Sequence, residues 1–383
     1  MHIVADENIP LLDEFMGGIG TLTRLPGRSI DHTAVQAADV LLVRSVTQVS
    51  AAMLAGTPVR FVGTCTIGTD HLDLSGLAAA GIEVASAPGC NARGVVEYVL
   101  SCLLTLAERS ATNWQDKTVG IIGVGEVGGR LAATLQALGI DCLWCDPPRA
   151  EQGATGMVSL DELLDSCDVI SCHVPLTHNG PHATHHLLDE NRLQGLRAGT
   201  WLINSSRGPV IDNTALLNVL QQRPDLLVAL DVWETEPLVD PELAALCALA
   251  TPHIAGYSLD GKLRGTEQIY QVLCRFLDIP AARTLTELAP SAGGGEWLME
   301  AGTPTDWLLS KALRQVYDVR DDDARLRAML ASAASEQASK EGFDRLRKNY
   351  PLRRECDLLQ IKTTVSEPQV ARRLQAAGFN LGS

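Results

Sequence analysis

Six residues, Gly123-Val-Gly125-Glu126-Val127-Gly128, limit the fold of this chain more than any other stretch. They follow the apolar run Val119-Gly-Ile-Ile122 and open a helical pattern over residues 127–138. A strand that turns directly into a helix needs glycine in three places: at the tight turn, where a pyrophosphate approaches the backbone, and where helix meets strand. A purely structural turn would use the same glycines. What weighs against that reading is Asp146, which ends the next apolar run about 20 residues on, the usual distance for a carboxylate that accepts ribose hydroxyls. A phosphate on that ribose would be repelled by Asp146 and again by Glu126, so NAD is expected rather than NADP. A strand-end turn with Pro147-Pro148 is compatible with the same Asp146.

Short apolar runs alternate with helical patterns on both sides of the fingerprint. Before it they lie at residues 3–5, 40–43, 61–63 and 82–84, and a long helix follows, capped by Asn91 and carrying Val95, Val99, Leu103 and Leu106 at helical spacing. From the fingerprint on they lie at 119–123, 142–146, 169–172, 201–204 and 227–232. The pattern predicts an α/β protein with two doubly wound parallel sheets, which bind ligands at the carboxyl ends of their strands. A helical stretch over 265–276 leads to a Pro/Gly-rich linker over 280–302 that includes Ser291-Ala-Gly-Gly-Gly. Beyond it, Thr305 reads as the N-cap of a helix over 306–317. More helical patterns, a strand-like run at 358–361 and a last helix near 370–377 complete a small α/β module.

A chain of 383 residues exceeds one typical domain. Its formal charge of −15 argues against nucleic acid or an anionic membrane as partner. The start, Met1-His-Ile-Val-Ala-Asp-Glu, lacks the basic and apolar segments of a secretory signal, and no apolar run is long enough to span a bilayer. Ten cysteines scattered through apolar runs read as reduced thiols of a cytoplasmic protein. Cys142-Leu-Trp-Cys145 has redox or zinc spacing but no second pair, and reads as core. His173, His178, His182, His185 and His186 gather in one stretch. Only His182 with His185 or His186 has helix-compatible separation, and no metal is expected.

Three residues lie just past strand ends: Arg207 in Asn204-Ser-Ser-Arg207-Gly-Pro-Val, Glu236 in Glu234-Thr-Glu236-Pro, and His253 in Thr251-Pro-His253-Ile-Ala-Gly. A dinucleotide cradle with a cation, an acid and an imidazole can move a hydride and a proton together. His253 is the expected proton carrier. Glu236 orients its ring and stabilises its cation, and Arg207 anchors a carboxylate or the reacting oxygen. A lone histidine is more often structural, but the flanking Pro252 and Ala255-Gly256 and the two partners upstream reverse that weighting.

The order of glycine fingerprint, Arg207-Gly, Glu236-Pro and Pro252-His253-x-Ala-Gly256 resembles the D-2-hydroxyacid dehydrogenase family over roughly residues 1–280. The resemblance implies a substrate domain of residues 1–91 with 257–280 and a Rossmann NAD-binding domain of residues 92–256. A C-terminal dimerisation domain of residues 286–383 follows. It carries cofactor contacts onto Gly123, Gly125, Glu126, Val127, Gly128, Asp146, Val174, Ser205, Ser206, Asp231 and Gly256. It also carries substrate contacts onto Ser45, Thr66 and Tyr257, and the Thr64-to-Gly68 loop can hold a carboxylate on its backbone N–H groups. The implied activity is NAD-dependent oxidation, by a homodimer, of a phosphorylated small-molecule 2-hydroxy acid. A phosphate needs local cations in so acidic a chain. Arg44 is one candidate; Arg345, Arg347 and Lys348, reaching across a dimer interface, are others, although such a run is usually a solvated helix face. Two further readings stay open: another D-2-hydroxyacid dehydrogenase of phosphoglycerate or hydroxypyruvate type, and a non-catalytic NAD-sensing interaction protein.

Overall fold

A computed structural model describes residues 1–290, 304–361 and 368–381. Residues 291–302 of the expected linker lie outside the described residues; within its earlier part a short helix, Leu285–Leu288, is formed. The described residues divide into two compact units, Met1–Asn91 with Ser258–Ser291, and Ala92–Tyr257 with Ala292–Ser383.

In the first unit, β1 (His2–Asp6), β2 (Thr21–Leu25), β3 (Val40–Val43), β4 (Phe61–Thr64) and β5 (Glu83–Ala85) form a parallel sheet in the order β2-β1-β3-β4-β5. Successive residues of a strand point to opposite faces, and the core divides accordingly. Ile3, Ala5, Leu42 and Phe61 pack with Phe15, Ile269 and Leu273 on one face, while Val4, Leu41, Val43 and Val62 pack with Val35, Leu54 and Leu77 on the other. The helix Leu259–Phe276 begins six residues before the expected 265, where the Ser258 side chain accepts from Gly261 N–H. β2 has no counterpart in the expected strands. It is an edge strand, its residues exposed or only partly buried, so it lacks the apolar run that marked its neighbours.

In the second unit, β6 (Val119–Ile122), β7 (Cys142–Cys145), β8 (Val169–Cys172), β9 (Trp201–Asn204), β10 (Leu227–Leu230) and β11 (Leu249–Ala250) form a parallel sheet in the order β11-β10-β9-β8-β6-β7. The chain leaves β6 for β7 on one side and returns to β8 on the other, which makes the carboxyl end of β6 the switch point where such sheets bind ligands. One face is covered by the helix Ala92–Ser110 and the helix Glu126–Ala137. The other packs Ile170, Leu202, Val228 and Leu230 against Leu163, Leu193 and Leu216.

The C-terminal segment contributes the helices Thr305–Val316, Val319–Ser332, Glu336–Lys348 and Pro368–Ala377, and a two-stranded parallel pair, β12 (Gln360–Ile361) with β13 (Asn380–Leu381). Thr305 is the first helical residue rather than the N-cap; Pro304 holds the cap position, where its missing N–H costs no helical bond. The segment shares a core with the helix Ala92–Ser110: Leu309, Leu313, Val319 and Leu374 join Val99 and Leu103. Val319 N–H donates to Ser101 Oγ at 3.0 Å. Arg353, 5% exposed, donates to Gly94 O at 2.6 Å and Ala255 O at 3.1 Å and pairs with Glu97 at 3.3 Å. The described part of the segment thus packs as one unit with the dinucleotide sheet, and Tyr257 falls in that unit too. No helix among the described residues is long and apolar enough to cross a membrane.

Candidate active site

The turn after β6 has the backbone that its glycines demand. Gly123 has φ 87°, and a Cβ there would come within 2.8 Å of the His173 carbonyl and Val174 Cγ1. At Gly128 a Cβ would meet Gly123 O at 1.9 Å, so helix and strand can close only on glycine. Gly125, by contrast, has nothing within 4 Å of its Cβ position, leaving that side of the turn open to a ligand. Glu126 and Val127 start the 12-residue helix Glu126–Ala137, whose free N–H groups and dipole favour an anion. Asp146 serves its own turn first: Oδ1 accepts Arg149 N–H at 3.2 Å and Oδ2 accepts Val124 N–H at 2.8 Å. A carboxylate has about four acceptor sites, so capacity for two ribose hydroxyls remains. Ser205 Oγ, past β9, is buried without a hydrogen-bond partner, whereas Ser206 Oγ donates to Asn204 Oδ1 at 2.9 Å. An open glycine, a helix N-terminus and an orphaned hydroxyl fit a pyrophosphate and its attached rings.

The loops after β9 and β10 lie backbone against backbone. A Cβ on Gly208 would sit 2.0 Å from the carbonyl carbon and oxygen of Trp233, which is why glycine must follow Arg207. Asn204 Nδ2 donates to Arg207 O at 2.9 Å, and Arg207 Nη1 donates to Ser206 O at 2.8 Å. Glu236 is fixed through both oxygens: Oε1 accepts Trp233 N–H at 2.8 Å and Oε2 lies 2.7 Å from His253 Nδ1. Desolvation would raise the Glu236 carboxyl. The charge and hydrogen bond of His253, with Arg347 beyond, outweigh it and hold the group below the usual carboxylate range. An ionised carboxylate can only accept, so Nδ1 carries the proton and Nε2 is left to act on a ligand. Glu234 turns elsewhere, its carboxylate bonding His186 Nε2 at 2.6 Å and Asn213 N–H at 3.0 Å.

His253 adopts the left-handed region, φ 57°, uncommon for a residue with a side chain. Asp231 accounts for it. Its carbonyl accepts His253 N–H at 2.7 Å, its Oδ1 accepts Thr251 Oγ1 at 2.7 Å and Ile254 N–H at 2.8 Å, and its Oδ2 accepts Ala255 N–H at 2.8 Å. Burial pushes this carboxyl up, opposed by the nearby His253 and these donors. Asp231 was read from the sequence only as a cofactor contact; it is also the brace of the histidine loop. The side chain of His253 is 31% exposed. Gly256, at the end of this loop, is partly buried.

Arg44, Ser45 and Thr66 belong to the other unit. Arg44 follows β3 and is partly buried, and Ser45 is exposed. Thr66 Oγ1 lies 2.8 Å from Thr64 Oγ1, which in turn lies 3.0 Å from His71 Nε2. Of the backbone donors in that loop, Cys65 N–H is taken by Val43 O at 3.0 Å.

The basic run of the C-terminal segment divides sharply. Arg345 and Lys348 are exposed in the last turn of the helix Glu336–Lys348. Arg347 is partly buried, with its guanidinium carbon 5.4 Å from the Tyr257 ring centre and 5.9 Å from that of Phe343. The Tyr257 ring that it meets belongs to the same chain. Tyr350 closes on the same ring edge-on at 5.7 Å.

The histidine-rich stretch contains one arrangement that spacing concealed. His185 and His186 stack at 4.0 Å, and potential ligand atoms of His185, His186 and Glu234 lie within 4.8 Å of one another. Glu234 is 48 residues away in sequence, beyond any local pattern. The hydrogen bond of His186 to Glu234 accounts for the approach without an ion. His182 bonds Glu151 at 2.8 Å, and His173 Nε2 lies 2.8 Å from Ser171 Oγ, with desolvation pushing its imidazole down to about 4.

A glycine turn at the switch point, with arginine, glutamate and histidine at the ends of the next strands, defines a nicotinamide-dependent dehydrogenase site. Comparison with known proteins agrees: the chain belongs to the D-isomer specific 2-hydroxyacid dehydrogenase family, and residues 104–255 match its NAD binding domain. Along its whole length it is similar to the erythronate-4-phosphate dehydrogenases of Pseudomonas syringae pv. tomato and Ectopseudomonas mendocina. Each is 55% identical over 378 residues, covering 99% of both chains. Residues 296–378 match a family described only as a domain of unknown function, DUF3410. Among solved structures, D-lactate dehydrogenase from Aquifex aeolicus, complexed with NAD and lactic acid, is 26% identical with a TM-score of 0.61. The match covers 73% of this chain and 96% of that one.

Proposed function

We propose that this chain catalyses the NAD-dependent oxidation of the C2 hydroxyl of 4-phospho-D-erythronate to (R)-3-hydroxy-2-oxo-4-phosphooxybutanoate, a step of pyridoxine biosynthesis. The observation that carries the chemistry is the 2.7 Å contact between Glu236 Oε2 and His253 Nδ1, which leaves Nε2 free to take a proton. The substrate rests on 55% identity to erythronate-4-phosphate dehydrogenases over nearly the full chain.

NAD, when bound, supplies the acceptor for the hydride that leaves C2. The protein does the rest. His253 Nε2 takes the hydroxyl proton as the C2–O bond gains double-bond character. Glu236 accepts from Nδ1–H and stabilises the imidazolium that results. Arg207 holds the substrate carboxylate and polarises the oxygen at C2. Gly123, Gly125 and Gly128 with Glu126 and Val127 form the pyrophosphate turn. Asp146 takes the ribose hydroxyls, and Val174, Ser205, Ser206, Asp231 and Gly256 line the remainder of the cofactor. Ser45, Thr66 and Tyr257 contact the substrate, and Arg44, Arg345, Arg347 and Lys348 are the cations proposed for its phosphate.

The protein acts as a cytoplasmic homodimer joined through its C-terminal segment. Support comes from ten cysteines, none of them in a disulfide, and from Trp307 and Leu352, which are 60% and 76% exposed in that segment. Sedimentation of the Trp307→Glu, Leu352→Glu double variant should give the monomer mass; an unchanged dimer would place the interface elsewhere. The reaction itself is tested by comparing kcat/KM for 4-phospho-D-erythronate, 3-phosphoglycerate, glycerate and hydroxypyruvate. The phosphorylated four-carbon acid is expected to lead. A higher value for another acid would replace it, and no turnover with any of them despite tight NADH binding would favour an NAD-sensing protein.

A further inference from the structure

Arginines of the C-terminal segment are, in general, paired. Arg353 is bound to Glu97, Arg327 to Asp323 at 2.9 Å, Arg325 to Asp322 at 2.7 Å and Arg314 to Glu108 at 2.6 Å. Arg347 is different. Its guanidinium lies over Tyr257 and Phe343; its Nε is buried without a hydrogen-bond partner, as are those of Arg314 and Arg353, but those two are ion-paired through their other nitrogens. No ion pair or hydrogen bond joins it to another described residue. A desolvated cation is costly unless an anion meets it. Glu236, Asp344 and Asp231 act on it through their fields, while the carboxylates of Glu236 and Asp231 spend their hydrogen bonds on Trp233 and His253 and on Thr251, Ile254 and Ala255.

Tyr257 follows His253 by four residues in one loop, and Arg353 of the same C-terminal segment holds that loop through Ala255 O. The segment therefore fixes the catalytic loop with one arginine and presents a second, unpaired, beside its end. Resting on the function proposed above, we propose that Arg347 is the specificity-determining cation for the phosphate ester of the substrate, supplied within the same chain by the segment matched as a domain of unknown function. The chemistry of the substrate agrees: its phosphate-bearing carbon lies two carbons beyond the one whose hydroxyl His253 deprotonates. A planar guanidinium lying over aromatic rings is preorganised for a phosphate.

The test uses the full chain loaded with NADH or NAD, as wild type, Arg347→Lys and Arg347→Met. Calorimetric titration with inorganic phosphate should show affinity falling about ten- to a hundredfold in Arg347→Met, the range for a hydrogen-bonded charge, and less in Arg347→Lys. The kcat/KM preference for 4-phospho-D-erythronate over D-erythronate should fall by a similar factor, mainly through KM, and NADH affinity reports whether each variant is folded. Wild-type phosphate affinity in Arg347→Met, or an equal loss for the two acids, would overturn the proposal; the latter would mean that Arg347 acts only through Glu236. Loss of phosphate binding in Arg347→Met, in a protein whose wild type does not oxidise 4-phospho-D-erythronate, would sink the functional reading and keep the arginine as a phosphate site.

Discussion

At the carboxyl end of β4, hydroxyl and imidazole groups meet: Thr64, Thr66 and His71 are linked at 2.8 and 3.0 Å. At the ends of β10 and β11, in the other parallel sheet, carboxylates and an imidazole meet instead: Glu236, His253 and Asp231, joined to each other and to backbone donors at 2.7 to 2.8 Å. The two sheets share one strand order apart from the additional β11. The architecture is therefore common to both, and the residues on the loops decide which one carries acid–base chemistry. Neutral hydroxyls can position a substrate. Only a charged pair with a free ring nitrogen can take its proton.

If that contrast is right, the largest effect belongs to the second sheet. His253→Ala should lower kcat by at least ~10²-fold, the lower end of general acid–base contributions, with NADH affinity retained. Turnover close to wild type would erase the distinction between the two sheets.

A smaller effect of a different kind is expected in the first sheet. Thr66→Val removes one hydroxyl from that network, worth about 1 kcal/mol, so KM should rise about five- to tenfold with little change in kcat. A kcat loss comparable to that of His253→Ala would show that the first sheet takes part in the chemical step.

The last effect concerns stability and pH rather than turnover. His173, at the end of β8, is neutral in the folded protein because desolvation pushes it down to about 4, against about 6.5 for an unperturbed imidazole. The unfolded chain binds the proton first as pH falls, so the stabilisation from neutral His173 is full above about 6.5 and is lost on the way down to about 4. Thermal unfolding of wild type should therefore weaken across that interval, and His173→Asn should weaken less. Equal slopes would show that His173 titrates normally.

What could be read from the sequence follows the same division. Parallel strands buried on both faces are near-continuous apolar runs, so Val40–Val43, Val169–Cys172 and Trp201–Asn204 were legible residue by residue. β2, at the edge with Thr21, Thr23 and Arg24 among its five residues, carried no such run. Arg207, Glu236 and His253 were legible because each follows a strand end within a distinctive local motif. The bracing role of Asp231 was not, since nothing in the sequence says that one carboxylate will accept three hydrogen bonds from a loop 20 to 24 residues on. The position of Arg347 beside Tyr257 was hidden for the same reason. Charge patterning marked it as basic, while its contact spans 90 residues and depends on how the helix Glu336–Lys348 packs.

The most direct measurement is a crystal structure with NAD and 4-phospho-D-erythronate bound, reading the distance from His253 Nε2 to the C2 hydroxyl oxygen. The account predicts hydrogen-bond reach, about 2.6–3.2 Å, with Glu236 still on Nδ1. A ring turned away from that oxygen, or one too far to share its proton, would contradict it.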